Sequence, residues 1–139
     1  MEVDELYSIK TAYWLGNFDE AIQEARAARV KAEPLKVERD VFLWRAHLAL
    51  GQFDAVLEGI KDEPATPLAL QAVKLLATFL SSPPKGREVA LLQAEDWLAD
   101  AGAAANPMLQ LVAGTMHMHQ GDIAAALSAV KGGGSHLET

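Results

Sequence analysis

The chain has no cysteine, which excludes disulfides, thiolate metal sites and cysteine nucleophiles and suits a reducing compartment. Positive charge is scarce: 12 Lys and Arg face 19 Asp and Glu, for a net charge of −7. An acidic chain without a basic stripe is a poor ligand for nucleic-acid phosphates and for an anionic membrane surface. No apolar run reaches the about 18 residues of a membrane-spanning helix. The start, Met1-Glu2-Val3-Asp4-Glu5, is acidic and lacks the basic segment of a secretory signal. The apolar–polar alternation of a strand is almost absent. There is no glycine-rich phosphate loop ending in Gly-Lys-Ser or Gly-Lys-Thr, and no nucleophile elbow. What remains is 139 residues, 50% of them hydrophobic, enough to bury a core. A soluble, cytosolic, helical protein is the reading these exclusions leave.

Against that background four glycines stand out, Gly16, Gly51, Gly86 and Gly121, each 35 residues after the one before. Three open a similar phrase: Gly16-Asn17-Phe18-Asp19-Glu20-Ala21-Ile22, Gly51-Gln52-Phe53-Asp54-Ala55-Val56-Leu57 and Gly121-Asp122-Ile123-Ala124-Ala125-Ala126-Leu127. A period of about 34 residues built on helix–turn–helix units marks tetratricopeptide-type repeats, which are scaffolds for other proteins more than sites of catalysis. The fold expected is all-α, a right-handed α-α superhelix of about four helix pairs over 4–31, 37–61, 67–99 and 107–130. The repeat domain then covers 1–131, and 132–139 form a glycine-rich tail.

Gly16 is placed to end the first helix in a left-handed turn, Gly51 closes the third, and Gly86 follows the end of the fifth. Pro34 is read as following the second helix, so the third helix is expected over 37–50. Thr66 and Asn106 are read as N-caps, with Pro67 and Pro107 as first helical residues. Ser81-Ser82-Pro83-Pro84 ends the fifth helix and the sixth is expected over 87–98. The seventh ends near Gln120, and an eighth is expected over 122–130. The third pair is the weakest, with Glu88 where the other phrases have Phe18, Phe53 and Ile123. Those three should plug gaps between successive pairs. Ala21, Ala25, Ala28 and Ala126 should let helices approach closely.

Candidate chemistry is thin. His117 and His119 lie two apart, so on a helix they do not share a face, and packing explains them better than a metal. Glu38-Arg39-Asp40 reads as charge support at a helix start. Asp4, Glu5, Asp19 and Glu20 read as a solvated face. No catalytic, cofactor or metal residues are assigned, and a non-enzymatic protein is expected. The informative surface is the one lined by the first helix of each pair. The 35-residue register places Leu6, Lys10, Tyr13 and Trp14 there, then Val41, Arg45 and Leu48, then Leu76 and Leu80, then Leu111, Thr115 and Met118. Interhelical core is the competing reading for each residue. As a set, apolar surface with aromatic and cationic anchors reads as a protein-binding groove.

Several phrases that the repeat does not require resemble a known family. They are Glu2-Val3-Asp4-Glu5-Leu6-Tyr7, Val37-Glu38-Arg39-Asp40-Val41-Phe42-Leu43 with Arg45-Ala46, Leu70-Gln71-Ala72-Val73-Lys74-Leu75, Trp97-Leu98-Ala99-Asp100 and Leu111-Val112-Ala113-Gly114-Thr115-Met116. Together they resemble the N-terminal half of the epsilon subunit of coatomer, over nearly the whole chain. The resemblance implies a non-enzymatic subunit of the COPI vesicle coat, acting in retrograde Golgi-to-ER and intra-Golgi transport. It implies the C-terminal domain of the coatomer alpha subunit as partner, other coatomer subunits indirectly, and a cytoplasmic place, peripheral on Golgi membranes and COPI-coated vesicles. The alternative is a tetratricopeptide adaptor that captures a partner's C-terminal peptide, as co-chaperones do. Against it, the two asparagines, Asn17 and Asn106, fall in expected turns. Family members continue with further repeats, so the 122–130 helix is expected to be an uncapped apolar end through which the chain self-associates.

Overall fold

The computed structural model describes residues 6–121. Among them the chain is all-helical and contains no strand, the fold class expected. The expected eighth helix with Ile123 and Ala126, the glycine-rich tail, the self-associating end, and Asp4 and Glu5 lie outside the described residues.

The helices are α1 Tyr7–Trp14, α2 Phe18–Ala27, α3 Glu33–Ala49, α4 Phe53–Gly59, α5 Leu68–Ser81, α6 Pro84–Leu98, α7 Ala101–Ala104 and α8 Pro107–His119. The described residues divide into two compact units, 6–59 and 60–121. In the first, α2 packs on both α1 and α3, α1 also touches α3, and α4 folds back on α3. In the second, α5, α6 and α8 pack on one another, with the short α7 bridging α6 and α8.

The first unit shows why the glycine phrases recur. Gly16 has φ 83° and Gly51 has φ 76°, a region closed to most side chains. Gly16 N–H donates to Tyr13 O at 3.0 Å and Asn17 N–H to Ala12 O at 2.8 Å. Gly51 N–H donates to Leu48 O at 2.9 Å and Gln52 N–H to His47 O at 2.9 Å. These paired bonds satisfy carbonyls that a helix end would leave open, the Schellman arrangement. Gly121 repeats the left-handed backbone, with φ 79°. His47 adds a side-chain lock on the second turn, its Nδ1–H donating to Gln52 Oε1 at 2.6 Å.

Gly86 is different, and the expected turn there is corrected. It has no positive φ and lies inside the first turn of α6, which starts at Pro84 rather than at 87. Likewise α3 starts at Glu33, with Pro34 in its first turn, so Pro34 opens a helix instead of trailing one. Proline fits that position because its missing N–H is one that the helix would leave unpaired anyway. The charges of Glu38-Arg39-Asp40 therefore lie along α3 and not at its start. Thr66 does not cap α5. Its hydroxyl donates to Lys61 O at 2.7 Å and closes the preceding loop, and Pro67 is the capping position. Asn106 does cap, accepting from Met108 N at 3.0 Å and Leu109 N at 3.1 Å.

Two cores follow. In the first unit, fully buried Leu6 and Ile9 pack with Ala25, Val30, Phe42 and Leu43, beside a smaller cluster of Ala12, Ala21 and Ala46. Ala21 and Ala25 are the small residues expected at a close approach, and both are buried. Phe18 and Phe53 are only half-buried, so their burial falls short of full plugs. In the second unit, Phe79, Leu109, Val112 and Met116 centre a core with Ala72, Ala90, Ala94 and Ala113.

Candidate protein-binding surface

The projected residues of the first unit come together on α1 and α3. Three of them are core: Leu6 is fully buried, and Val41 and Leu48 are nearly so. Lys10, Tyr13 and Arg45 are half-buried, and Trp14 is 56% exposed. Lys10 Nζ meets Glu38 Oε1 at 2.9 Å and ties α1 to α3. Such a partly exposed pair contributes at most about 1 kcal/mol, so it orients more than it stabilises.

Beside it is an aromatic cluster. Tyr13 meets Trp14 edge-on at 4.9 Å, Phe18 at 5.5 Å and Phe42 at 5.3 Å, measured between ring centroids. Trp14 and Phe42 are 6.2 Å apart, again nearly perpendicular. Edge-to-face pairs place the positive ring edge on the negative ring face, so the cluster holds its geometry. The Arg45 guanidinium lies over three of these rings, 4.9 Å from Tyr13, 5.5 Å from Trp14 and 5.6 Å from Phe42. Each such contact contributes about 0.5–2 kcal/mol, more as water is excluded. Tyr7 and Leu15, at the two ends of α1, are exposed at 67% and 70%. They fell outside the projected register, as did Phe42, because a 35-residue register marks equivalent positions and not which flank of a helix stays open.

In the second unit, Leu76 and Leu80 of α5 are half-buried against the core. Leu111 and Thr115 of α8 are half-buried as well, and the Thr115 hydroxyl donates to Leu111 O at 2.8 Å. Met118 is 55% exposed. Val89 and Leu92 of α6 are exposed at 68% and 64% and were not anticipated. Asp19 and Glu20 are exposed, as the solvated reading requires. His117 is buried with its Nε2 3.8 Å from Glu95 Oε1. Among the described residues no group of His, Asp and Glu is arranged to hold a metal ion. A cleft of about 220 Å³ lies by α5 and α6, lined by Lys61, Gln71, Lys74, Thr78, Gln93 and Trp97 among others. It is below the about 300–1,000 Å³ usual for a small-molecule pocket. Among the described residues no helix is long and apolar enough to cross a membrane.

Packed helices, with an open aromatic face on the first unit, define an all-helical scaffold. The sequence model of the coatomer epsilon subunit family matches residues 2–139, and the chain belongs to that family. It is 38% identical over 132 residues to coatomer subunit epsilon-1 of Arabidopsis thaliana, covering 95% of this chain and 44% of the relative. It is 38% identical over 135 residues to coatomer subunit epsilon-2 of Oryza sativa subsp. indica, at 95% and 45% coverage. The Dictyostelium discoideum epsilon subunit is 30% identical over 124 residues, at 86% and 41%. The chain thus spans less than half the length of the curated relatives it matches. Membership of this family accords with the expectation of a non-enzymatic protein.

Proposed function

We propose that this chain acts as a non-enzymatic structural component of the COPI coat and binds the C-terminal domain of the coatomer alpha subunit. Retrograde Golgi-to-ER and intra-Golgi vesicle transport is the process it serves, from a cytoplasmic position on Golgi membranes and COPI-coated vesicles. Other coat subunits are reached through the alpha subunit. The observation that carries this reading is the family match along residues 2–139. The half-exposed surface of Lys10, Tyr13, Trp14 and Arg45 gives it a physical means, since aromatic and arginine side chains dominate binding energy at interfaces. Leu76, Leu80, Leu111, Thr115 and Met118 are the proposed contribution of the second unit.

The co-chaperone-like adaptor is the weaker reading. A carboxylate clamp draws on lysine and asparagine side chains, but Lys10 is held by Glu38 and the Asn106 side chain caps α8. The test is a pull-down with the C-terminal domain of the alpha subunit, run beside a chaperone C-terminal peptide. Binding to the domain, weakened by Arg45→Glu with helicity intact, is expected. Binding to the peptide alone, abolished by Lys10→Ala, would replace the proposal with the adaptor.

A further inference from the structure

Arg45 is a half-buried cation that the described structure leaves without an acid. Three other cations of the first unit are paired, Lys10 with Glu38 at 2.9 Å, Lys36 with Glu33 at 3.4 Å and Arg39 with Asp40 at 3.0 Å, and Arg26, Arg29 and Lys31 are exposed to solvent. None of the ion pairs or hydrogen bonds among the described residues involves the Arg45 side chain. What surrounds it is rings: Tyr13, Trp14 and Phe42, all within 5.6 Å of Cζ. In a chain of net charge −7, a half-buried guanidinium with no carboxylate partner is a site of local positive potential in an acidic field.

The rings also decide its shape. An aromatic ring offers no in-plane acceptor, so these contacts leave the N–H donors of the guanidinium, five in a rigid fork, without a hydrogen-bond partner among the described residues. That fork matches one carboxylate through two parallel hydrogen bonds. Trp14, 5.5 Å from Cζ and 56% exposed, offers an indole face next to the same point. We propose that Arg45 reads a side-chain carboxylate in an internal acidic–apolar segment of the partner protein, and that the neighbouring apolar side chain of that segment covers Trp14. The proposal deepens the docking surface put forward above and rests on it. A chain-terminal carboxylate suits the site less, because the second cation of a clamp, Lys10, is already engaged by Glu38.

The test uses no alpha subunit, so the two readings fail separately. Random peptides displayed without a free C-terminus are selected on the wild-type chain, and those retained are then measured on it and on R45Q. Glutamine keeps a planar amide on the rings but loses the charge and the fork. Retained peptides are expected to carry Asp or Glu beside Leu, Ile, Phe or Trp. Changing that Glu to Gln in the peptide should weaken binding about tenfold or more on the wild-type protein and change nothing on R45Q, while R45K recovers part of the loss. R45Q is required to match the wild-type circular dichroism spectrum and unfolding midpoint, so its insensitivity to the peptide change reads the lost charge and fork and not a fold defect. Peptides without an acid, equal binding to R45Q, a requirement for a free C-terminus, or no retained peptide would each overturn the proposal.

Discussion

Gly59, the last residue of α4, faces the Trp44 indole on α3. A Cβ added there would lie 2.5 Å from Cζ2 and 2.7 Å from Cζ3 of the ring, with Cη2 in its path as well. The ring has little freedom to yield. It packs against the first-unit core and lies 5.2 Å from the His47 ring at 30°, and His47 in turn is bonded to Gln52. Pushing the indole aside therefore disturbs the turn that returns α4 to α3. Overpacking of this kind costs about 1–3 kcal/mol. Alanine offsets part of it, since it is better than glycine in a helix by at most about 1 kcal/mol, and less at a terminal position. Gly59→Ala should thus destabilise by roughly 1–2 kcal/mol. Thermal unfolding followed by circular dichroism should show a midpoint about 5 °C lower or more. The decisive comparison is with Trp44→Ala. Without the indole the steric cost vanishes, and adding Gly59→Ala should then be neutral or stabilising. An unchanged midpoint for Gly59→Ala in the wild-type background, or the same shift in both backgrounds, would refute the steric argument.

Two further outcomes are expected. Gly51→Ala meets open space, with nothing within 4 Å of the added carbon, so its cost is that of the left-handed backbone alone, about 1–2 kcal/mol; urea unfolding with an unchanged slope should register it. Asn106→Ala removes the acceptor of two N–H groups at the start of α8 and should cost about 0.5–2 kcal/mol, seen as faster amide exchange at Met108 and Leu109.

The parts of the fold that were legible in the sequence are those governed by backbone chemistry with few solutions. A positive φ after a helix nearly requires glycine, so Gly16, Gly51 and Gly121 announce their turns. Asn106 followed by Pro107 has one common meaning, and it has that meaning here. Proline by itself has two: it follows helices that have ended and it begins new ones. That is why Pro34 and Pro84, both in the first turn of a helix, read as terminators. The four-residue α7 was too short to leave a period, and its signal was the Asp100 side chain accepting from Gly102 N at 3.1 Å. At the surface, the register found Trp14 and Arg45 but also gathered Leu6, Val41 and Leu48. Equivalent positions in successive helices share a direction, while exposure depends on which neighbour covers them, and that is decided by tertiary packing. The contact of Trp44 with Gly59 had no local signature for the same reason.

The α5–α6 connection ends its helix without a left-handed glycine. The glycine solution closes a helix with backbone N–H groups alone. Here the chain leaves α5 in extended backbone at Ser82, ψ 153°, and Pro83, ψ 169°, and Pro83 has no N–H to donate. Side chains take over. The Ser82 hydroxyl donates to Thr78 O at 2.5 Å. Arg87 Nε–H donates to Phe79 O at 3.2 Å, with its guanidinium 5.3 Å from the Phe79 ring. The Thr78 and Phe79 carbonyls near the end of α5 are therefore satisfied by residues from the connection and from the next helix, and Gly86 takes no part in the turn. It now sits where a Cβ would come within 2.8 Å of Ser82 Cβ, so a glycine still fits that place for a different reason: close packing against the connection rather than a left-handed φ. The 35-residue spacing thus recurs at Gly86 although a different chemistry ends the helix before it.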